Sequence, residues 1–125
     1  SDIRLKKNVK TIPDALNKIM SMRGCEWNWK KNSKRTTGVI AQEIITVDSD
    51  CVNTIDDGNL LGVNYSALSG YFIEAIKAQQ LIIDSIRLEQ QSLRSTHRKE
   101  VEVLNERIDL LSKYISNLNI DKIEG

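Results

Sequence analysis

Apolar residues recur at steps of three and four along the C-terminal third of the chain, from about Tyr71 to Ile123. The pattern predicts one long amphipathic helix whose apolar stripe is the a/d seam of a coiled coil. Such a helix is about 80 Å long at 1.5 Å per residue. The globular part of a 125-residue chain cannot cover that stripe, so the seam requires copies of the same chain or a partner helix. The predicted seam positions are Ile83, Ile86, Leu93, Val101, Leu104, Ile108, Leu111, Ile115 and Leu118.

The upstream half of the seam contains two polar positions, Gln90 and His97. Leu93, His97 and Val101 follow one another at steps of four, which indicates a stutter, a local unwinding of the supercoil. β-Branched residues at one seam position with leucine at the other favour two parallel strands, and the polar layers weaken that preference without replacing it. The heptads alone leave a dimer and a trimer open.

Length and charge limit what the rest of the chain can be. We predict an α+β fold, with a small mixed α/β head over residues 1–65 and the long helix over residues 66–125. A head of that size is at the lower edge of what one core supports, which predicts stabilisation by oligomerisation. The net charge of +1 gives no overall field for nucleic acid. The polar first residues predict no signal peptide, and no apolar run approaches the ~18 residues of a membrane span.

Local patterns predict the first elements of the head. Ile3 and Leu5 would share one face of a short strand. Thr11 would cap a helix that buries Met20 with its other apolar residues and ends at Gly24.

Further elements follow from alternation and turn signals. In order they are a half-buried strand at 25–30, a polar loop at 31–37 that includes a short basic run, a strand entering at Val39, and a helix at 42–47. The sequence Asp-Asp-Gly-Asn at 56–59 is a hairpin turn between β-like segments at 51–55 and 60–63. Asn64 or Ser66 would then cap the long helix.

Familiar constellations for catalysis on a foreign substrate are missing from the sequence. Its single histidine, His97, falls on the coiled-coil stripe, and its clustered aspartates flank a hairpin. Cys25 and Cys51 have no metal-site spacing and are interpreted as free buried thiols. No phosphate loop, zinc motif or dinucleotide fingerprint occurs. We therefore expect no metal and no cofactor.

Four short motifs occur in order ahead of the coiled coil: S-D-x-R-x-K-x-N at residues 1–8, E-W-x-W-K at 26–30, G-V-I-A-Q-E at 38–43 and V-x-Y-x-x-L at 63–68. Each motif is weak alone, but their order over nearly the whole chain is specific. The chain resembles the C-terminal intramolecular chaperone domains of bacteriophage tail fibres and tailspikes. That self-cleaving family also includes the auto-processing domain of a eukaryotic membrane-tethered transcription factor.

The resemblance implies a homotrimer that holds an upstream β-rich fibre or spike segment of the same precursor in register and then cuts itself off immediately before Ser1. It implies Ser1 as nucleophile and Lys6 as general base, and we expect Asp2, Arg4 and Asn8 to support them. Ser1 would then be the first residue of the released product. The implied location is the host cell cytoplasm during phage assembly, with the product released from the virion fibre or loosely attached to it.

The implied Ser–Lys dyad makes two physical demands. A lysine amine acts as a base only when neutral, and its pKa in water is about 10.4, so Lys6 needs a desolvated site or cationic neighbours such as Arg4 and Lys7. A spacing of five residues places Ser1 and Lys6 on opposite faces of a strand and about 140° apart on a helix. The backbone must therefore bend between them, or the amine must come from a neighbouring protomer.

The other motif residues are predicted to form the chaperone and protomer interface: Trp27, Trp29, Gln42, Glu43 and Tyr65. Two other functions remain open at this point. One is a non-catalytic trimeric coiled-coil fibre tip that binds a receptor. The other is the auto-processing segment of a transcription factor, which predicts a DNA-binding domain and a membrane span outside this stretch.

Overall fold

The computed structural model describes residues 1–124; Gly125, the last residue of the predicted helical domain, lies outside the described residues. The elements are α1 (Ala15–Met20), β1 (Cys25–Asn28), β2 (Arg35–Gly38), α2 (Ala41–Val47), β3 (Val52–Ile55), β4 (Leu60–Val63) and α3 (Tyr65–Glu124), with 3-10 turns at Ile3–Leu5, Ser49–Cys51 and Asp56–Gly58. The predicted α+β class, a small mixed head followed by a long helix, is confirmed. Backbone contacts divide the chain into two units, with the boundary between Ile82 and Ile83.

Two antiparallel hairpins supply all the strands in the described residues of the head. In the first, Cys25 pairs with Gly38 and Asn28 with Arg35. The second, β3–β4, is the hairpin predicted from its turn sequence. Asp56, Asp57 and Gly58 in that turn all have positive φ, a conformation that aspartate and glycine tolerate.

The core of the head is small and lies between α1, α2 and the first turns of α3. Its buried residues are Ala15, Ala41, Ile44, Cys51, Leu68, Tyr71 and Ala75. Only Ile44, Leu68 and Cys51 have almost completely buried side chains. So few buried residues make the head marginal by itself, as its length predicts.

The predicted N-terminal strand is wrong, because residues Ile3–Leu5 form a 3-10 turn. The Asp2 carboxylate accepts a hydrogen bond from the Arg4 backbone N–H at 2.8 Å and so caps the turn. A local capping bond of this kind competes directly with the extended conformation that the alternation of Ile3 and Leu5 favours.

The predicted start and end of α1 are also wrong. The helix begins at Ala15 rather than after Thr11, because Asp14 adopts a left-handed conformation with φ 54°. Asn17 stabilises that geometry by donating to the Asp14 carboxylate at 2.6 Å. The helix ends at Met20, before Gly24, and the Met20 side chain is exposed rather than buried.

Strand β2 occupies Arg35–Gly38, where the sequence predicted a polar loop followed by a strand entering at Val39. This segment forms a strand because it pairs with β1 residue by residue. Glu26 also forms an ion pair with Arg35 across the hairpin. The predicted short helix is confirmed and begins one residue early, at Ala41.

Helix α3 begins at Tyr65 and continues without interruption to Glu124. Asn64 caps it, since its side-chain oxygen accepts from the Ala67 backbone N–H at 3.3 Å. Within residues 1–124, no helix combines the length and apolar character needed to cross a bilayer.

Candidate functional site

The 3-10 turn Ile3–Leu5, with its caps Asp2 and Lys6, is called the N-terminal turn; it holds every predicted catalytic or supporting residue except Ser1, which precedes it, and Asn8, which follows it. Arg4 folds back onto Asp2, donating from Nε to Oδ1 at 3.1 Å and from Nη2 to Oδ2 at 2.7 Å. The Arg4 side chain lowers the pKa of the Asp2 carboxyl, and the Arg4 backbone N–H adds to that effect. The pair keeps Asp2 ionised and the turn closed.

Lys6 is returned toward the start of the chain by the same turn. Its backbone N–H donates to the Ile3 carbonyl at 3.0 Å, and its Nζ donates to the Asp2 carbonyl oxygen at 3.3 Å. The amine therefore lies beside the residue that follows Ser1, so the backbone bend that the Ser1–Lys6 spacing requires is present. Among the described residues, Ser1 makes no hydrogen bond to Lys6.

Asn8 does not approach this turn by any hydrogen bond in the described part of the chain. It has φ 56°, the left-handed conformation that asparagine tolerates better than most residues. Its visible role is to redirect the backbone after the turn.

The whole segment 1–10 is exposed, including its apolar residues Ile3, Leu5 and Val9. Because this basic segment and its apolar side chains are exposed to water, the segment does not by itself form a desolvated site around Lys6. A lysine base needs water removed around it, and the described residues of this chain leave Lys6 exposed.

The predicted interface residues converge on a groove of about 410 Å³ between the two hairpins and the start of α3. We call it the aromatic groove. The residues that line it include Trp27, Trp29, Gln42, Ile55 and Tyr65. The two tryptophan rings meet edge to face with centroids 6.0 Å apart. The Val39 backbone N–H donates to Tyr65 Oη at 3.4 Å.

Glu43 is the one predicted interface residue that does not line the aromatic groove. It pairs with Arg23, whose guanidinium donates to both carboxylate oxygens. This hydrogen bonding lowers the pKa of Glu43. Gln42 and Glu43 are adjacent in α2 and point to different surroundings.

Gly38 allows the aromatic groove to close. A Cβ at this position would lie 2.5 Å from Tyr65 Oη and 2.9 Å from Trp27 Cη2. We expect Gly38→Ala to destabilise the head by about 1–3 kcal/mol, the usual cost of overpacking. The matched control is Gly24→Ala, since a Cβ there meets nothing within 4 Å. Urea denaturation measures both, and equal midpoints for the two variants would contradict the prediction.

Three residues that sequence reasoning did not single out meet beside the core. Tyr71 donates its hydroxyl to the Asp48 carboxylate, and Lys18 Nζ lies 3.9 Å from the same carboxylate and 5.3 Å from the Tyr71 ring centroid. They join α1, the end of α2 and α3. The three are 23 to 53 positions apart in sequence, and no local pattern marks them.

The two cysteines, both predicted to be buried, differ in the structure. Cys51 is buried beside these three residues, and burial raises the pKa of its thiol. Cys25 is only half-buried, contrary to the prediction.

The predicted seam residues of α3, from Ile83 to Leu118, are all 38–63% exposed. His97 lies among them and is exposed. Among the side chains that the structure describes, no cluster of three or more His, Cys, Asp or Glu residues could hold a metal ion. The described part of α3 therefore presents an exposed apolar stripe.

Residues 1–53 match the model of the Peptidase_S74 family, described as "Chaperone of endosialidase". The match covers the first three of the four motifs and ends before V-x-Y-x-x-L and the long helix. It confirms the resemblance to phage intramolecular chaperones over that stretch, and supports a chaperone role and a serine-peptidase type of auto-processing. No curated protein matches the chain.

Proposed function

We propose, with the match of residues 1–53 to the chaperone family as premise, that this chain is a homotrimeric intramolecular chaperone for a phage tail fibre or tailspike. In this proposal it registers an upstream β-rich segment of its own precursor and then releases itself by cleavage immediately before Ser1. It acts in the host cell cytoplasm during assembly. The observation that most directly supports this proposal is the N-terminal turn of the S-D-x-R-x-K motif. In this turn the Lys6 amine lies 3.3 Å from the Asp2 carbonyl oxygen.

The long helix supports the assembly step. Its seam is exposed in the single chain and needs other copies to cover it. Joining chains at one end raises the effective concentration of everything upstream to roughly the millimolar range. Intertwined β-structures depend on non-local pairing, which forms slowly. A trimeric nucleus therefore removes most of the association cost before the fibre begins to fold.

The N-terminal turn supports the cleavage step. In the precursor, Ser1 Oγ attacks the carbonyl carbon of the preceding residue while Lys6 Nζ accepts the hydroxyl proton. The C–N bond to Ser1 breaks, Lys6 returns the proton to the leaving Ser1 amine, and the ester that remains on Oγ is hydrolysed by water. Covering of the exposed turn by assembled chains would supply the desolvation that a neutral lysine requires. Cleavage then reports that assembly has occurred.

The test is a precursor that extends upstream of Ser1. We expect it to yield a fragment whose N-terminal sequencing begins at Ser1, and Ser1→Ala to leave the precursor at full length. Ser95→Ala, an exposed serine of α3, is the control and should cleave normally. Cleavage of the Ser1→Ala precursor at the normal rate would exclude the serine mechanism.

A second candidate, a non-catalytic trimeric fibre tip, is favoured by the aromatic groove. Trp29 and Tyr65 are both more than half exposed there, as in many binding surfaces. A wild-type precursor that stays at full length while remaining trimeric would favour this candidate.

A further inference from the structure

A second apolar surface lies between α1 and the first turns of α3. It is a groove of about 190 Å³. The residues that line it include Leu16, Ile19, Met20, Phe72, Ile76 and Gln79. We call it the α1–α3 face. Met20 is 75% exposed, Ile76 64% and Phe72 48%, although all three are large apolar side chains. The described residues of the same chain leave a large part of each of these side chains uncovered.

The α1–α3 face is in register with the seam. Phe72, Ile76 and Gln79 lead to Ile83 and Ile86 at steps of four, three, four and three, with no break. The predicted a/d pattern thus extends back to Phe72, into the compact unit Ser1–Ile82. Phe72, Ile76 and Gln79 share one side of α3, because residues three and four apart on a helix are neighbours.

The charged residues near this surface point elsewhere. Glu74 and Lys77 pair with each other at 3.1 Å on another side of α3, and the groove lining contains no charged residue. Depletion of charge with exposed large apolar side chains is the composition of an interface core. The small core of the head gives it a further reason to bury this surface.

We infer that the α1–α3 face is an interface between copies of this chain, occupied by α3 of a second copy in parallel register. The seam then begins at Phe72, and α1 joins the interface through Met20. The inference rests on the proposed assembly of parallel chains. It adds that α1 takes part in the interface, beside the apolar side chains of α3.

Sedimentation equilibrium of the full chain tests this with matched isoleucines. Ile73 is 57% exposed and lies about 100° around α3 from Phe72, outside the face. We expect Ile73→Glu to associate like the wild type. Ile76→Glu and Met20→Glu should each require an at least about tenfold higher concentration to associate, because burying a carboxylate in an apolar interface is costly.

A direct contact measurement covers the case in which these variants fold poorly. In a Cys25→Ser background, Phe72→Cys should form a disulfide between chains under mild oxidation, and Ile73→Cys should not. Association of Ile76→Glu or Met20→Glu equal to that of Ile73→Glu would overturn the inference, as would equal cross-linking of the two cysteine variants. Slower precursor cleavage without weaker association would assign the face to the upstream fibre and also overturn it. A monomeric wild type would instead overturn the proposed assembly itself.

Discussion

A precursor that carries Lys6→Ala will cleave itself about 10²–10⁴-fold more slowly than the wild type, the usual contribution of a positioned general base. The reason is that a serine hydroxyl is a poor nucleophile until a base removes its proton. The N-terminal turn returns the Lys6 amine to the Asp2 carbonyl oxygen, whereas the Arg4 guanidinium is bound to the Asp2 carboxylate and keeps its proton near neutral pH. The measurement is the rate of appearance of the fragment that begins at Ser1.

Two variants separate the role of a base from that of a positive charge. Lys6→Arg keeps the charge but cannot lose its proton near neutral pH, so it should be as slow as Lys6→Ala. Lys10→Ala removes another lysine from the same exposed segment and should change the rate little. A Lys6→Arg precursor that cleaves at the wild-type rate would exclude Lys6 as the base.

Leu111→Glu will convert the assembled chain into monomers at micromolar concentration and abolish cleavage of the precursor. Leu111 is a predicted seam position, so in the proposed assembly each copy would bring a carboxylate into one apolar layer, where an unpaired charge costs several kcal/mol. In the single chain Leu111 is 60% exposed, so the substitution leaves the isolated helix without a new cavity or clash. Sedimentation equilibrium measures the association, and gel analysis of the precursor measures the cleavage.

The neighbouring leucine provides the control. Leu110 is 67% exposed, lies on the same helix and is outside the predicted seam. Leu110→Glu should therefore remain assembled and cleave normally. Association of Leu111→Glu equal to that of Leu110→Glu would show that the predicted seam is not the association surface. Normal cleavage by a monomeric Leu111→Glu precursor would show that cleavage does not depend on assembly.

Features encoded by adjacent residues were predictable. The β3–β4 turn follows from Asp56–Asn59, because the residues that tolerate positive φ stand at the positions that need it. The cap of α3 at Asn64 is equally local. The continuous helix follows from a long apolar periodicity without proline or internal glycine after Gly70. The family resemblance was inferred from the order of the motifs. The family match confirms that resemblance over residues 1–53, which include the first three motifs.

Features that depend on a choice between two local tendencies were not predictable. Alternating Ile3 and Leu5 favour a strand, whereas the capping and ion-pair contacts of Asp2 with Arg4 favour a turn. The turn is what brings Lys6 back toward Ser1, so the candidate site depended on a competition that the pattern alone could not settle. Four of the five residues predicted for the interface line the aromatic groove, but the motifs could not show that the fifth, Glu43, pairs with Arg23.

The sequence by itself determined the elements with a local cause: the long helix, the β3–β4 hairpin and the motif order. Only the tertiary structure decided the contacts between residues distant in the chain. These are the pairing that makes β2 a strand, the meeting of Lys18, Asp48 and Tyr71, and the placement of α1 beside Phe72 and Ile76. A local pattern reports the conformation of its own backbone, whereas such contacts form only when several elements bury a shared apolar surface together.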